Sequence, residues 1–347
     1  MSPRILTVEP GVDFSVQDVH AGLIKGLKAC GATVSNFSTS NRLASLTRAK
    51  ISENDDGEYR PLFPSYEATV HVINEMLMGQ IFGLMPDLVV VTSGFFVTDI
   101  ALKVARSRGI KVCAVMTEQP YELSRELWLA ERVDHVALND PIHMDKFREV
   151  CDSVWYRPHA IDPEIHHADG RSDDLDAVWI GTAYKSRIAF LEGVEWPEDV
   201  RMKFGGNWSA LEDAPSPLRR FLMDQEHDES CVQNVDTANW YRRSAMTWNT
   251  YRKEAESDDL AVGWALGPRE VEAAACGIFL ARESRPEGDE LFPMFPIVDT
   301  PAELGDVLRW SMANPDLRQD ACEKAIEAVA DRTFARSAAE LLTHCGF

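Results

Sequence analysis

The feature that most constrains this chain is an alternation of short apolar runs with longer stretches of helical periodicity, which halts at a polar segment and then begins again. Residues 4–8 (RILTV) predict a strand. Residues 16–29 predict a helix, with Val19, Leu23, Leu27 and Ala29 among its apolar positions and Gly31 just past its end. A second strand begins at Ala32-Thr33-Val34, and further apolar runs follow at 87–92 (DLVVVT), 110–116 (IKVCAVM) and 135–138 (HVAL). A helical stretch at 99–107 lies among them. Strands apolar on both faces, separated by helices, predict a parallel sheet covered on both sides.

The pattern breaks after Tyr156-Arg157-Pro158, and 169–176 (DGRSDDLD) is acidic and without apolar periodicity, as suits a linker or surface loop at a domain boundary. It then restarts with strands at 177–180 and 201–204, a helix over 187–191 and a turn at Gly205-Gly206-Asn207. A helix at 270–276 ends at Gly277, and a strand follows at 278–281. The expectation is an α/β protein of two Rossmann-like domains: 1–158, then 159–325, with a C-terminal helix at 326–347 packing back toward the first. A length of 347 residues fits two domains, each able to bury a core.

Composition narrows the function classes. The longest apolar runs, such as 88–91 and 271–276, fall far short of the roughly 20 residues a membrane span needs, so no span is expected. No basic, apolar and cleavable leader precedes the first strand, which predicts a cytoplasmic protein. Seven cysteines without a C-x-x-C pair suggest neither a disulfide framework nor a zinc ribbon. A formal net charge of −21 disfavours a nucleic-acid partner.

The sharpest local signal is the run Gly267-Pro268-Arg269-Glu270-Val271-Glu272-Ala273-Ala274-Ala275-Cys276-Gly277, followed by the apolar Ile278-Phe279-Leu280. It resembles the donor-site helix of two-domain glycosyltransferases of the GT-B type. Within these it is most similar to the glycosyltransferases like the spore maturation protein CgeB, whose R-x-x-E-A-x-A-C-G pattern is met by Arg269, Glu272, Ala273, Ala275, Cys276 and Gly277. The resemblance implies two Rossmann-like domains facing across a cleft, with a nucleotide-sugar donor held mainly by the second. It assigns Glu272 to the nucleotide ribose. That role is physically sound, since one carboxylate can accept both protons of a vicinal diol, while an arginine beside a helix amino end favours a diphosphate.

The resemblance extends upstream. The segment 240–249 looks like the strand that ends in an Asn before the donor helix, and Asn249 is carried over on that match. Residues 179–187 resemble a strand, a glycine turn and a following arginine, which brings in Gly181, Thr182, Lys185 and Arg187. A glycine there admits close backbone approach to the donor, and the two cations could neutralise phosphates in place of a metal. Gly205-Gly206-Asn207-Trp208 is similar to a G-x-W turn whose Trp208 either touches ligand or packs the domain, and Glu290 stands where relatives place an acidic residue after the donor strand. Near the junction, Pro158, Ala160 and Asp162 follow the L-P-x-A-x-D passage, with His166 where an aromatic is common. Another departure concerns the E-x7-E pair of many retaining members: the first glutamate falls on Trp264, which leaves retention or inversion open.

The expected function is therefore transfer of a hexosyl or related sugar from a nucleotide-sugar to an unidentified protein, glycan or modified nucleobase. The alternatives are a nucleotide-sugar epimerase and a non-catalytic nucleotide-sugar-binding protein. Inverting transfer needs a base near a strand's carboxyl end; Glu118, after the strand ending at Met116, comes first, with Asp13 and His20 behind it. No resident cofactor and no metal are expected: His166-His167 are adjacent, and Asp55-Asp56 and Asp173-Asp174 lie in acidic stretches.

Overall fold

A run of Leu, Val, Val, Val and Thr is β-branched enough to resist helix and apolar enough to be covered on both faces, and Leu88–Thr92 is accordingly a strand in which every residue is buried. The computed structural model describes residues 2–11, 14–52, 59–63, 65–211, 215–223 and 232–347. By its contacts the chain divides into Met1–Arg157 with Ala335–Phe347, and Pro158–Phe334.

The first unit runs β1 (Arg4–Val8), α1 (Phe14–Ala29), β2 (Thr33–Phe37), α2 (Thr39–Arg48), β3 (Lys50–Ser52), β4 (Tyr59–Pro61), α3 (Tyr66–Leu84), β5 (Leu88–Thr92) and α4 (Asp99–Ser107). It continues through β6 (Lys111–Val115), α5 (Leu123–Ala130), β7 (His135–Leu138), α6 (Met144–Arg148) and β8 (Val154–Tyr156). Apart from the small antiparallel pair β3–β4, the strands form one parallel sheet in the order β2-β1-β5-β6-β7-β8. The chain leaves β1 for one side and returns on the other, so a topological switch point lies at the carboxyl ends of β1 and β5.

The second unit comprises β9 (Leu175–Ile180), α7 (Lys185–Glu192), β10 (Met202–Gly205), α8 (Asn234–Arg242), β11 (Ser244–Asn249), α9 (Pro268–Ala275), β12 (Phe279–Arg282), α10 (Pro286–Leu291), α11 (Pro301–Ala313) and α12 (Pro315–Val329). Its parallel sheet is ordered β10-β9-β11-β12. An aromatic cluster fills the core beneath it: Phe204 stacks on Trp208 at 5.1 Å, and Trp179 meets Trp208 edge-on at 5.3 Å. Trp208 is therefore a packing residue, 3% exposed. β9 starts two residues before its apolar run, so the expected polar linker gives up Leu175 and Asp176 to the sheet. Asp176 tolerates this because its carboxylate takes the Arg201 backbone N–H at 2.8 Å and the Arg201 guanidinium at 2.6 Å.

A final helix, α13 (Phe334–His344), rejoins the first unit. There His344 stacks on Trp155 at 4.3 Å, and Lys111 Nζ donates to the Cys345 carbonyl at 2.6 Å. No helix among the described residues is long and apolar enough to cross a membrane.

Candidate functional site

In the second unit the chain passes from β9 to β10 on one side and returns to β11 on the other, which puts the switch point at the carboxyl ends of β9 and β11. Gly181 and Thr182 follow β9, and Asn249 ends β11. Arg269, in the first turn of α9, reaches both. Its Nη1 donates to Asn249 Oδ1 at 2.7 Å, and its guanidinium carbon lies 5.1 Å from the centre of the Trp179 ring. A β-carbon on Gly181 would stand 1.7 Å from Nη2, so the arginine occupies space that glycine leaves open. The Tyr241 hydroxyl, from the last turn of α8, also faces Arg269, and burial holds that phenol well above its ordinary pKa.

Glu272 stands three residues beyond Arg269, on the same face of α9. It is half-buried, and its Oε1 accepts a hydrogen bond from Asn234 Nδ2 at 3.5 Å. Between the two, Glu270 points elsewhere and is wholly buried. Its Oε2 accepts the Gly267 N–H at 2.7 Å and the Tyr251 hydroxyl at 2.5 Å, fastening the loop after β11 to the start of α9. Among the described residues its Oε1 has no partner, and burial pushes the carboxyl up to about 7. The Tyr251 ring is covered in turn by the Arg285 guanidinium, 4.0 Å from the ring centre.

Of the remaining candidates in this unit, Arg187 acts within the fold. Its Nε donates to the Thr250 carbonyl at 2.8 Å and its Nη1 to the Thr182 carbonyl at 2.9 Å, tying together the loops that follow β9 and β11. Lys185 is exposed at the start of α7, and Glu290 is exposed on α10. The buried acid of α10 is Glu287, which accepts the Leu266 N–H at 2.7 Å and lies 2.7 Å from Arg332. Trp264 offers its carbonyl to the Glu287 N–H at 3.1 Å. Arg269 thus brings Gly181 and Asn249 together, with Glu272 on the same helix face.

In the first unit Glu118 follows β6 on a loop held from below by Glu126. The buried Glu126 carboxylate accepts the N–H groups of Thr117 and Glu118 at 3.0 and 2.9 Å and the Gln119 side-chain amide at 2.8 Å. Burial nevertheless raises its pKa. Glu118 itself is half-buried. His20 lies near the switch point, with Nδ1 2.8 Å from Thr92 Oγ1 and Nε2 2.9 Å from Asn36 Oδ1. An amide oxygen can only accept, so Nε2 carries the proton and Nδ1 accepts from the Thr92 hydroxyl. Burial lowers the His20 pKa, and neither nitrogen is left to act as a base. Asp13 lies outside the described residues.

The site contains groups that the residue patterns did not single out. Glu270 had a readable signal, because Gly, then Pro, then Glu at the third helical position is a helix-start pattern. Asn234 had none, and Tyr241 lies within the segment 240–249 without standing out from it; both belong to an ordinary helix tens of residues upstream. Among the described residues no three His, Cys, Asp or Glu side chains gather as a metal site would require.

Residues 186–343 match the sequence pattern of the family described as Glycosyl transferase-like. No curated protein sequence matches the chain. Among solved structures it is similar to sucrose-phosphate synthase from Thermosynechococcus elongatus, at 12% identity and a TM-score of 0.61, with 98% of each chain covered. It is similar also to HepE of Anabaena in complex with UDP, at 11% identity and a TM-score of 0.62, covering 99% of this chain and 100% of that one. A third is a putative UDP-N-acetylglucosamine 2-epimerase from Listeria monocytogenes, at 10% identity and a TM-score of 0.59, covering 99% and 96%. The fold is thus the GT-B type, built of two Rossmann-like domains. Family match and fold together support an enzyme that transfers a sugar from a nucleotide-sugar, with the acceptor unspecified.

Proposed function

We propose that this chain is a glycosyltransferase whose second unit holds a nucleoside-diphosphate sugar, with Glu272 on the ribose and Arg269 on the diphosphate. The observation that carries the reading is the position of Arg269. It is locked to Asn249 at 2.7 Å over an open Gly181, at the switch point, with Glu272 one turn along the same helix face. A planar guanidinium fixed in this way presents a preformed fork to phosphate oxygens, and the amino end of α9 adds its partial positive charge. These groups supply what a bound metal would otherwise supply, so the transfer is proposed to be metal-independent. The CgeB-like pattern of Arg269, Glu272, Ala273, Ala275, Cys276 and Gly277 supports the same assignment. Glu118 is the proposed base on the acceptor side, since its loop at the end of β6 is fixed by Glu126 and the residue is only half-buried.

The likeness to a putative 2-epimerase favours a second reading, in which the same fold turns over donor without an acceptor. One experiment separates the two. Purified protein is incubated with UDP-, GDP-, ADP- and CDP-sugars, with and without EDTA, and both free nucleoside diphosphate and altered sugar are measured. Release of nucleoside diphosphate that survives EDTA supports the proposal. An epimerised nucleotide-sugar supports the alternative, and activity that EDTA abolishes and magnesium restores overturns the metal-independent claim.

A further inference from the structure

We propose that His166 and Asn234 are positioning residues that orient Glu272, and so set the preference of this site for a ribose with free vicinal hydroxyls. The inference rests on the donor-site reading above and goes past it, because no motif marks either residue for this task.

The chain of contacts begins at a tight turn. The Asp162 carbonyl accepts the N–H groups of Ile165 and His166 at 3.0 and 2.8 Å, and the Asp162 carboxylate accepts the Glu164 N–H at 3.0 Å. This turn aims the Asp162 backbone N–H at His166 Nδ1, 3.2 Å away. A ring nitrogen that accepts carries no proton, so in the neutral ring the proton sits on Nε2. Nε2–H therefore donates to Asn234 Oδ1, at 3.2 Å. With its oxygen committed to His166, the Asn234 amide must turn its NH₂ the other way, and that group donates to Glu272 Oε1 at 3.5 Å. A flipped amide would set its oxygen against the carboxylate, and His166 prevents the flip.

The surroundings hold this chain in place. His166 is 3% exposed. Arg242, at the other end of α8, donates to the carbonyls of Ile165 and His167 at 2.8 and 3.3 Å, so α8 is fastened at both ends to the 162–167 segment. Asn234 and Tyr241 are seven residues apart and share a helix face, which presents one to Glu272 and the other to Arg269. Among the described residues Asn234 is the only side chain that hydrogen-bonds the Glu272 carboxylate. A carboxylate has about four acceptor positions, so this single contact orients the group and leaves the rest for two hydroxyl protons. Where the resembled family commonly has an aromatic, this chain has a histidine that carries the chain of donors from Asp162 to Asn234.

The test is calorimetry on the full chain. UDP, GDP, ADP and CDP are titrated into the wild type, and the tightest binder is compared with its 2′,3′-dideoxy form. The wild type should prefer the ribose form by about tenfold or more, as expected of hydrogen bonds to a charged group. Asn234→Ala and His166→Phe should each cut that ratio by about three- to tenfold while leaving affinity for the dideoxy form within about twofold. Asn234→Ser serves if Asn234→Ala does not fold. If the ratio is unchanged in these variants but lost in Glu272→Ala, the positioning chain is overturned and the donor site stands. Equal weakening of both nucleotide forms also overturns it, as the mark of a merely structural role. A wild type that binds none of the four, or a Glu272→Ala variant that keeps the preference, overturns the donor-site reading and this inference with it.

Discussion

Arg269 stands in the space a side chain at position 181 would need: a β-carbon on Gly181 would lie 1.7 Å from its Nη2. The obstacle is the far end of a flexible side chain, not backbone, so Gly181→Ala should push the guanidinium off Asn249 and leave the fold nearly intact. We expect donor affinity to drop about tenfold or more with a stability change under about 1 kcal/mol. Gly206 gives the contrast. Its φ is +101°, and a β-carbon there would meet the Gly181 carbonyl oxygen at 2.4 Å. Gly206→Ala should destabilise the protein by about 1–3 kcal/mol or more, as backbone strain requires. Chemical denaturation and calorimetry on the two variants check the pair, and equal stability losses would contradict the account.

Arg187 spends its guanidinium on two backbone carbonyls, those of Thr182 and Thr250. A lysine would keep the charge but could not span both acceptors. Arg187→Lys should therefore lose about 1–3 kcal/mol of stability, with a smaller effect on donor binding. If the residue served mainly as a phosphate-binding charge, the lysine variant would instead retain stability and much of the affinity.

Glu270 makes stability depend on pH. In the unfolded chain its carboxyl ionises near 4.5, whereas burial in the folded protein pushes it up to about 7. Between those values the folded state keeps a proton that the unfolded state has lost, so this contribution is present below about pH 4.5 and is lost as pH rises through 7. Glu270→Gln has nothing to ionise there. Its stability relative to wild type should improve from pH 4 to 8 by on the order of 3 kcal/mol. Denaturation curves across that range decide it, and a difference that ignores pH would contradict the burial argument.

Glu118→Gln should keep donor affinity and lower turnover by about 10² to 10⁴, the usual worth of a general base. Nucleotide release in the presence of a working acceptor checks it, and near-normal turnover would remove Glu118 from the mechanism. His20→Ala, by contrast, should act through stability, because both ring nitrogens are already used inside the first unit.

Much of the fold was legible because its signals are local. β1, α4 and β7 have the bounds that periodicity and apolar runs predicted. β9 ran longer than its apolar run since Asp176 enters the sheet paired with Arg201, a contact between residues 25 apart that no local window contains. The site divides in the same way. Arg269 and Glu272 stand out because both fall in one local run, 269–277, that resembles the donor-site helix of GT-B glycosyltransferases. Asn234 meets Glu272 from 38 residues upstream, and only the packing of α8 on α9 brings them together. Glu126 escaped notice for a related reason: a buried carboxylate that accepts three N–H groups looks, in sequence, like any polar residue of an amphipathic helix.

The central claim is that Arg269 and Glu272 together bind the donor nucleotide. Its most direct test is calorimetric titration of the tightest-binding nucleoside diphosphate into wild type, Arg269→Ala and Glu272→Ala, each first shown to be folded. The account predicts that both variants bind at least about tenfold more weakly, each having lost a hydrogen-bonding group that is charged and preformed. Affinities equal to wild type in both variants would contradict it.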